Sequence, residues 1–161
     1  MKICFVSAGS RKEIQSTVDF LAVQSLGYTR YQEWVGRAES ELNSGYKRAI
    51  MAFFDDRLVA DLLWQPHKSL DGLLEIKNIR VHPNVRLRDF GRFMLKQAEL
   101  MPGFLGSICD VREDPPGILQ FMVRCGYSVA ATVPLYDSER NDIVLVKFFG
   151  DERVPIKMEA A

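Results

Sequence analysis

The chain has little of what builds covalent or metal-held frameworks. Its three cysteines, Cys4, Cys109 and Cys125, are odd in number and nowhere spaced C-x-x-C. That argues against a disulfide framework and against a zinc site, and a cytoplasmic location in a reducing compartment is expected. The two histidines, His67 and His82, have no ligand partners at metal spacing, so turn or surface roles are expected for both. No apolar run approaches membrane-spanning length, and the run at residues 3–8 is too short for a signal-peptide core. Net charge is also missing, because 21 Lys and Arg balance 21 Asp and Glu. The molecule therefore presents no global field for nucleic acid or an anionic membrane, and neither is expected as a partner. A homodimer is compatible with the sequence.

What is present is an ordinary globular composition, 47% hydrophobic and 26% charged over 161 residues. That length suits one domain with a sizeable core, placed at residues 1–150 and followed by a polar tail at 151–161. The sequence contains no repeat, low-complexity tract or linker.

Hydrophobic periodicity and turn residues predict β, α, α, β, β, β, α, β, α, β, β. A strand at 3–6 leads into a helix at 11–26, stopped by Gly27, and a second helix spans 30–42. Strands at 48–54 and 58–64 flank Asp55-Asp56-Arg57 as a hairpin, and a further strand at 73–81 stops at His82-Pro83. Phe90, Phe93, Met94, Gln97, Ala98 and Met101 line one face of the next helix, which Pro102-Gly103 closes. A strand at 105–111 precedes a helix with Pro115 or Pro116 in its first turn and Gly126 at its end. Strands at 127–135 and 143–149 finish the chain. This order gives an α/β fold, a mixed sheet with helices on both faces and a parallel crossover between residues 73 and 111.

The segment from Leu73 to Leu95 is a strand, a basic loop and an amphipathic helix. A loop feeding a helix N-terminus offers unpaired amides in a positive field, and Arg86, Arg88 and Arg92 cluster at that point. The pattern suits an anion, most naturally a phosphate; a solvated basic face is the alternative.

The run Val81-His82-Pro83-Asn84-Val85-Arg86-Leu87-Arg88-Asp89-Phe90-Gly91 resembles the central signature of the GNAT N-acetyltransferase superfamily. That signature is a strand ending in Val, then Q/R-x-x-G-x-G/A opening a helix, and Arg86 and Gly91 match its ends. Ala98-Glu99 and the Phe121, Gly126, Tyr127 set extend the resemblance, and the order of elements matches over nearly the whole chain. The resemblance implies a GNAT-like fold, with a mostly antiparallel mixed sheet and a splayed parallel pair. It also implies acetyl-CoA as co-substrate, no metal, and a small-molecule or peptide amine as acceptor. The backbone of Ile79, Arg80 and Val81 would hold the pantetheine arm. Arg86, Leu87, Arg88, Asp89, Phe90, Gly91 and Arg92 would cradle the pyrophosphate.

Asp89 departs from the pattern, standing where glycine is usual. A carboxylate roughly 4 Å from a phosphate is opposed by about 4 kcal/mol at an effective dielectric near 20. Asp89 could instead face solvent, pair with Arg86 or Arg92, or cap the helix and occupy its amides.

Acetyl transfer needs a base for the incoming ammonium and, often, an acid for the leaving thiolate. By resemblance Glu75, six residues before Val81, would be the base; the alternative is a strand carboxylate paired with Lys77 or Arg80. The usual acid, a tyrosine, would fall at Phe121 or Met122, and neither carries a hydroxyl. Tyr136 is the preferred substitute, ahead of Tyr127 and Cys125. A non-catalytic acyl-CoA sensor or protein-interaction module of the same fold is the rival reading.

Overall fold

A computed structural model describes residues 2–23, 28–86, 89–112, 117–136 and 138–150. Strands β1 (Ile3–Ser7), β2 (Arg48–Phe54), β3 (Arg57–Pro66), β4 (Leu73–Val81), β5 (Gly106–Arg112), β6 (Ser128–Val133) and β7 (Asp142–Phe148) form one sheet. Its order is β1-β2-β3-β4-β5-β7-β6. Helices α1 (Arg11–Ala22) and α2 (Tyr31–Asn43) follow β1, α3 (Phe90–Glu99) joins β4 to β5, and α4 (Gly117–Arg124) precedes β6. The sequence pattern therefore predicts the order of elements, and a 3-10 turn at Pro83–Val85 is added to it. Gly27, Leu87, Arg88, Pro115, Pro116 and the tail at 151–161, all invoked above, lie outside the described residues.

Local chemistry sets the ends of these elements. Ser10 caps α1 in a capping box: its Oγ accepts from the Glu13 amide, while the Glu13 carboxylate accepts from the amides of Ser10 and Gly9. Hydrogen bonds to the carboxylate from the Ser10 and Gly9 amides and from the Ser10 side chain hold the Glu13 carboxyl below its ordinary range. The β2–β3 hairpin turns on Asp55 and Asp56, both at positive φ (44° and 62°), as a tight hairpin requires. His67 and His82 accept backbone amides in turns through Nδ1, the roles expected of them.

All neighbouring strands run antiparallel except β4 and β5, which are parallel. That pair is short, running from Leu73 opposite Gly106 to Ile76 opposite Cys109, after which the strands part. At the same level the β3–β4 register slips: Leu63 faces Asn78 but Trp64 faces Ile76, which leaves Lys77 bulged.

The two faces of the sheet are built differently. On one, α3 and α4 pack Phe90, Met94, Leu95, Ala98 and Met122 onto Leu62, Trp64, Leu74, Ile76 and Leu145. Leu95, 1% exposed, belongs to this buried stripe, whereas Phe93 and Gln97 are only partly buried. The periodicity missed Leu95 because the buried stripe of α3 is wider than the face it traced. On the other face α1 and α2 bring Ile14, Val18, Leu21, Val35, Ala38 and Leu42 onto Ala49 and Leu63. This second face also buries Asp61, Arg80 and Asn78, with Lys47 and Gln65 beside them.

Candidate active site

The site is organised by the place where β4 leaves β5. From Lys77 onward the β5-facing edge of β4 has no strand partner among the described residues, and this edge carries Ile79, Arg80 and Val81. An extended ligand could hydrogen-bond to backbone freed in this way.

Beyond β4 the chain turns through His82 and the 3-10 segment into α3. Arg86 folds back, its Nε donating to the Val81 carbonyl at 3.2 Å. Asp89 sits at the helix N-cap with φ 58° and ψ 9°, and its side chain makes no capping hydrogen bond. The capping alternative is thereby removed. Asp89 instead takes the left-handed backbone conformation for which glycine is preferred, and Asp tolerates it better than most residues. Its carboxylate is exposed and loosely paired with Arg92 Nε at 3.9 Å.

The first amide of α3 with an intrahelical partner is that of Phe93, which donates to the Asp89 carbonyl at 2.9 Å. The amides of Phe90, Gly91 and Arg92 precede it and face no side-chain cap, the arrangement that favours an anion. Gly91 matters here for packing: a Cβ on it would lie 3.2 Å from the Phe121 ring and 3.6 Å from Ile79. Small size at this position lets the start of α3 settle onto β4 and α4.

Side chains from alternate positions of β4 and β5 face the α1/α2 side of the parting strands. Glu75 Oε2 accepts from Gln65 Nε2 at 2.9 Å and its Oε1 pairs with Lys77 Nζ at 2.9 Å. The pairing with Lys77 anticipated for Glu75 is present; Arg80 instead reaches the Leu21 carbonyl and the Tyr31 hydroxyl. On β5, Asp110 follows Cys109, the last residue paired to β4. The Tyr136 hydroxyl hydrogen-bonds Asp110, and burial together with that nearby carboxylate pushes the Tyr136 hydroxyl well above its ordinary range. Burial raises Asp110 as well, Lys77 and the Tyr136 hydrogen bond pull it down, and Glu75 and Asp142 push it up. Tyr28 meets the Tyr136 ring edge-on at 5.8 Å, and the Arg112 guanidinium lies 3.8 Å from the centre of the Tyr28 ring.

Tyr136 thus comes to the same cleft as Glu75, from the loop after β6. Tyr127 does not: its hydroxyl contacts Ser107 and Glu99 on the α3 side of the sheet, where Lys147 pairs with Glu99 at 2.7 Å. Met122 is buried in the apolar core, and Phe121 packs on Gly91. Asp110, Tyr28, Arg112 and Lys77 were not singled out from the sequence as site residues. A signal existed in Ile108-Cys109-Asp110-Val111, where a lone acid interrupts an apolar strand at a position facing away from the core.

No protein-family model matches the chain, and no curated protein matches it in sequence. Solved structures do match it in shape. One is a protein from Desulfovibrio desulfuricans described as an acetyltransferase of the GNAT family, 15% identical, with TM-score 0.77 over 91% of this chain and 99% of that one. The chain has the GNAT fold. PaiA N-acetyltransferase from Thermoplasma acidophilum, solved with coenzyme A, is 14% identical with TM-score 0.69, covering 92% of this chain and all of the other. An aminoglycoside 6'-N-acetyltransferase complexed with coenzyme A is 14% identical with TM-score 0.70, covering 98% and 100%. Among the described residues no group of three or more His, Cys, Asp or Glu could hold a metal ion, and no helix is long and apolar enough to cross a membrane.

Proposed function

We propose that this chain is an acetyl-CoA-dependent N-acetyltransferase whose acceptor is an amine of a small molecule, protein or peptide. The observation that carries the reading is the continuity of two features on β4. The strand parts from β5 after Ile76, and it leads directly into an α3 start whose amides have no side-chain cap. Together they provide an extended edge for a pantetheine arm and an anion site for a pyrophosphate.

In this reading the backbone of Ile79, Arg80 and Val81 holds the arm. The amides of Phe90, Gly91 and Arg92, with the guanidiniums of Arg86 and Arg92, receive the phosphates; Leu87 and Arg88, assigned to this loop by resemblance, lie outside the described residues. Asp89 contributes its left-handed backbone. Acetyl-CoA supplies the activated acyl group as a thioester; the chain orients it, excludes water and moves protons. The Tyr136 hydroxyl, kept protonated by its surroundings, is placed to protonate the leaving thiolate. No metal is required. The solved relatives that carry coenzyme A support this assignment, and the aminoglycoside enzyme among them supports a cationic acceptor. We place the whole activity in residues 1–150 and the protein in the cytoplasm.

Calorimetric titration with acetyl-CoA and with CoA tests the reading. Saturable binding is expected, and no binding at millimolar ligand overturns it. One observation favours the non-catalytic alternative, an acyl-CoA sensor: the positions where a GNAT tyrosine is usual are Phe121, packed against the apolar core, and Met122, buried in it. Thiol release over an amine panel decides between them, since a sensor binds acetyl-CoA without turnover.

A further inference from the structure

We propose that Asp110, rather than Glu75, is the catalytic base of this reaction and works with Tyr136 as one proton-carrying pair. The inference rests on the acetyltransferase reading above and adds to it the residue that accepts the acceptor's proton. Glu75 is the obvious carboxylate by position, but both of its oxygens are engaged, one by Gln65 and the other by Lys77. Breaking a pair of charge-assisted bonds on each turnover would oppose that role.

Asp110 is differently placed. It is the first residue of β5 beyond the paired segment, on the face that carries Ile108 and Arg112 and opposite Val144 of β7. The Tyr136 hydroxyl bonds it from the loop after β6. The charged groups around it are Glu75 and Lys77 from β4, Arg112 from β5 and Asp142 from β7, with Tyr28 and Tyr136 as the titratable hydroxyls. Among the described residues three carboxylates therefore stand against two cations, and Lys77 is already paired with Glu75. Among these groups the cations are one short of the carboxylates, which suits a single ammonium. Burial of Asp110 also brings its affinity for a proton closer to what a base needs near neutral pH.

The step balances as follows. The acceptor ammonium gives one proton to Asp110, and the freed amine attacks the thioester carbonyl carbon, forming the C–N bond. The nitrogen loses a second proton as the tetrahedral adduct collapses and the C–S bond breaks. One of the two protons ends on the thiolate, delivered by the Tyr136 hydroxyl and replaced from Asp110 through their hydrogen bond. The other leaves to solvent.

The test compares Asp110→Asn, Glu75→Gln and Tyr136→Phe with the wild-type chain. The readouts are thiol release from acetyl-CoA with spermidine, kanamycin and a lysine-bearing peptide, and CoA binding by calorimetry. Asp110→Asn is expected to lower kcat/KM roughly 10²–10⁴-fold and to remove the acidic limb of its pH profile, with CoA affinity unchanged. Glu75→Gln is expected to lower kcat/KM less than Asp110→Asn does, mainly through KM, and to keep the acidic limb of the pH profile that Asp110→Asn loses. The opposite ranking, Glu75→Gln inactive and Asp110→Asn active, overturns the proposal and leaves the acetyltransferase reading standing. Loss of CoA binding or of turnover in the wild-type chain overturns both. A titration of the Asp110 carboxyl by carbon NMR needs no acceptor. Its midpoint should move upward in Tyr136→Phe, because a bond to the charged form is lost, and an unmoved midpoint overturns the pairing.

Discussion

The two faces of the sheet solve different problems. The α3/α4 face is mostly apolar, closed by Leu62, Leu74, Met94, Leu95, Met122 and Leu145, each no more than 1% exposed, with the Ser107, Tyr127, Glu99 and Lys147 cluster as its polar exception. The α1/α2 face buries charge. Asp61 is fully covered, hydrogen-bonded by Asn78, and shares its space with Arg80. Lys47 is 2% exposed, pairs with Glu41 at 2.8 Å and donates to Gln65, which in turn reaches Glu75. Dispersion and burial stabilise the first face almost without penalty. The second carries a desolvation cost that good pairing only partly offsets. The lesson is a division of labour: the apolar face holds the fold, and the polar face arranges the cleft where β4 and β5 part.

That contrast can be broken most sharply at Arg80. Arg80→Met leaves Asp61 without its cation and the Leu21 carbonyl and Tyr31 hydroxyl without their donor, and a loss of up to about 3–5 kcal/mol in urea denaturation at pH 8, where Asp61 is mostly charged, is expected. The double change Asp61→Leu with Arg80→Met should recover most or all of that loss, because the pair is removed together. If the double variant is no better than the single one, the polar face is not charge-balanced as described.

On the apolar face Leu145→Ala should cost about 2–5 kcal/mol through transfer and cavity terms, with no special dependence on pH. Denaturation at pH 6 and pH 8 checks both statements.

A pH series sharpens the comparison further. Burial pushes Asp61 from 3.8 up to about 7, against the pull of Arg80 and the Asn78 hydrogen bond. The folded state then keeps a proton that the unfolded chain releases. This contribution to stability is present at low pH, falls as pH climbs from about 4 to about 7, and is constant above. The slope from this one group is at most about 1.4 kcal/mol per pH unit. Asp61→Asn should flatten it, as read by denaturation at pH 5.5, 6.5 and 7.5, whereas Leu145→Ala should leave it in place.

The smallest expected effect lies at the start of α3. Asp89→Gly relieves a left-handed backbone and should stabilise the fold by at most about 1 kcal/mol. It also removes a carboxylate from the proposed phosphate site, so CoA should bind more tightly in calorimetry. Unchanged affinity would mean that the exposed Asp89 side chain stays away from the phosphates.

Much of this architecture was legible because it is local. The ends of β4 at Leu73 and Val81, the stop at His82-Pro83 and the amphipathic stripe beginning at Phe90 are written in neighbouring residues. The candidate site was legible only in part. Glu75 and Tyr136 were both picked out, but that Lys77 and Gln65 occupy Glu75 depends on the β3–β4 register and its bulge. Asp110 was missed because one acid in a short apolar strand says nothing about which neighbours meet it.

The sequence by itself determined the order of elements, the basic loop after β4 and the uncommon Asp89, since periodicity, turn residues and composition act over a few positions. The tertiary structure alone decided that β4 and β5 part after Ile76 and Cys109 and that Asp89 leaves the α3 amides uncapped. It also decided that Tyr136 meets Asp110, residues 26 positions apart in the chain. Those facts follow from strand register, backbone dihedrals and packing between distant segments, which no local pattern encodes.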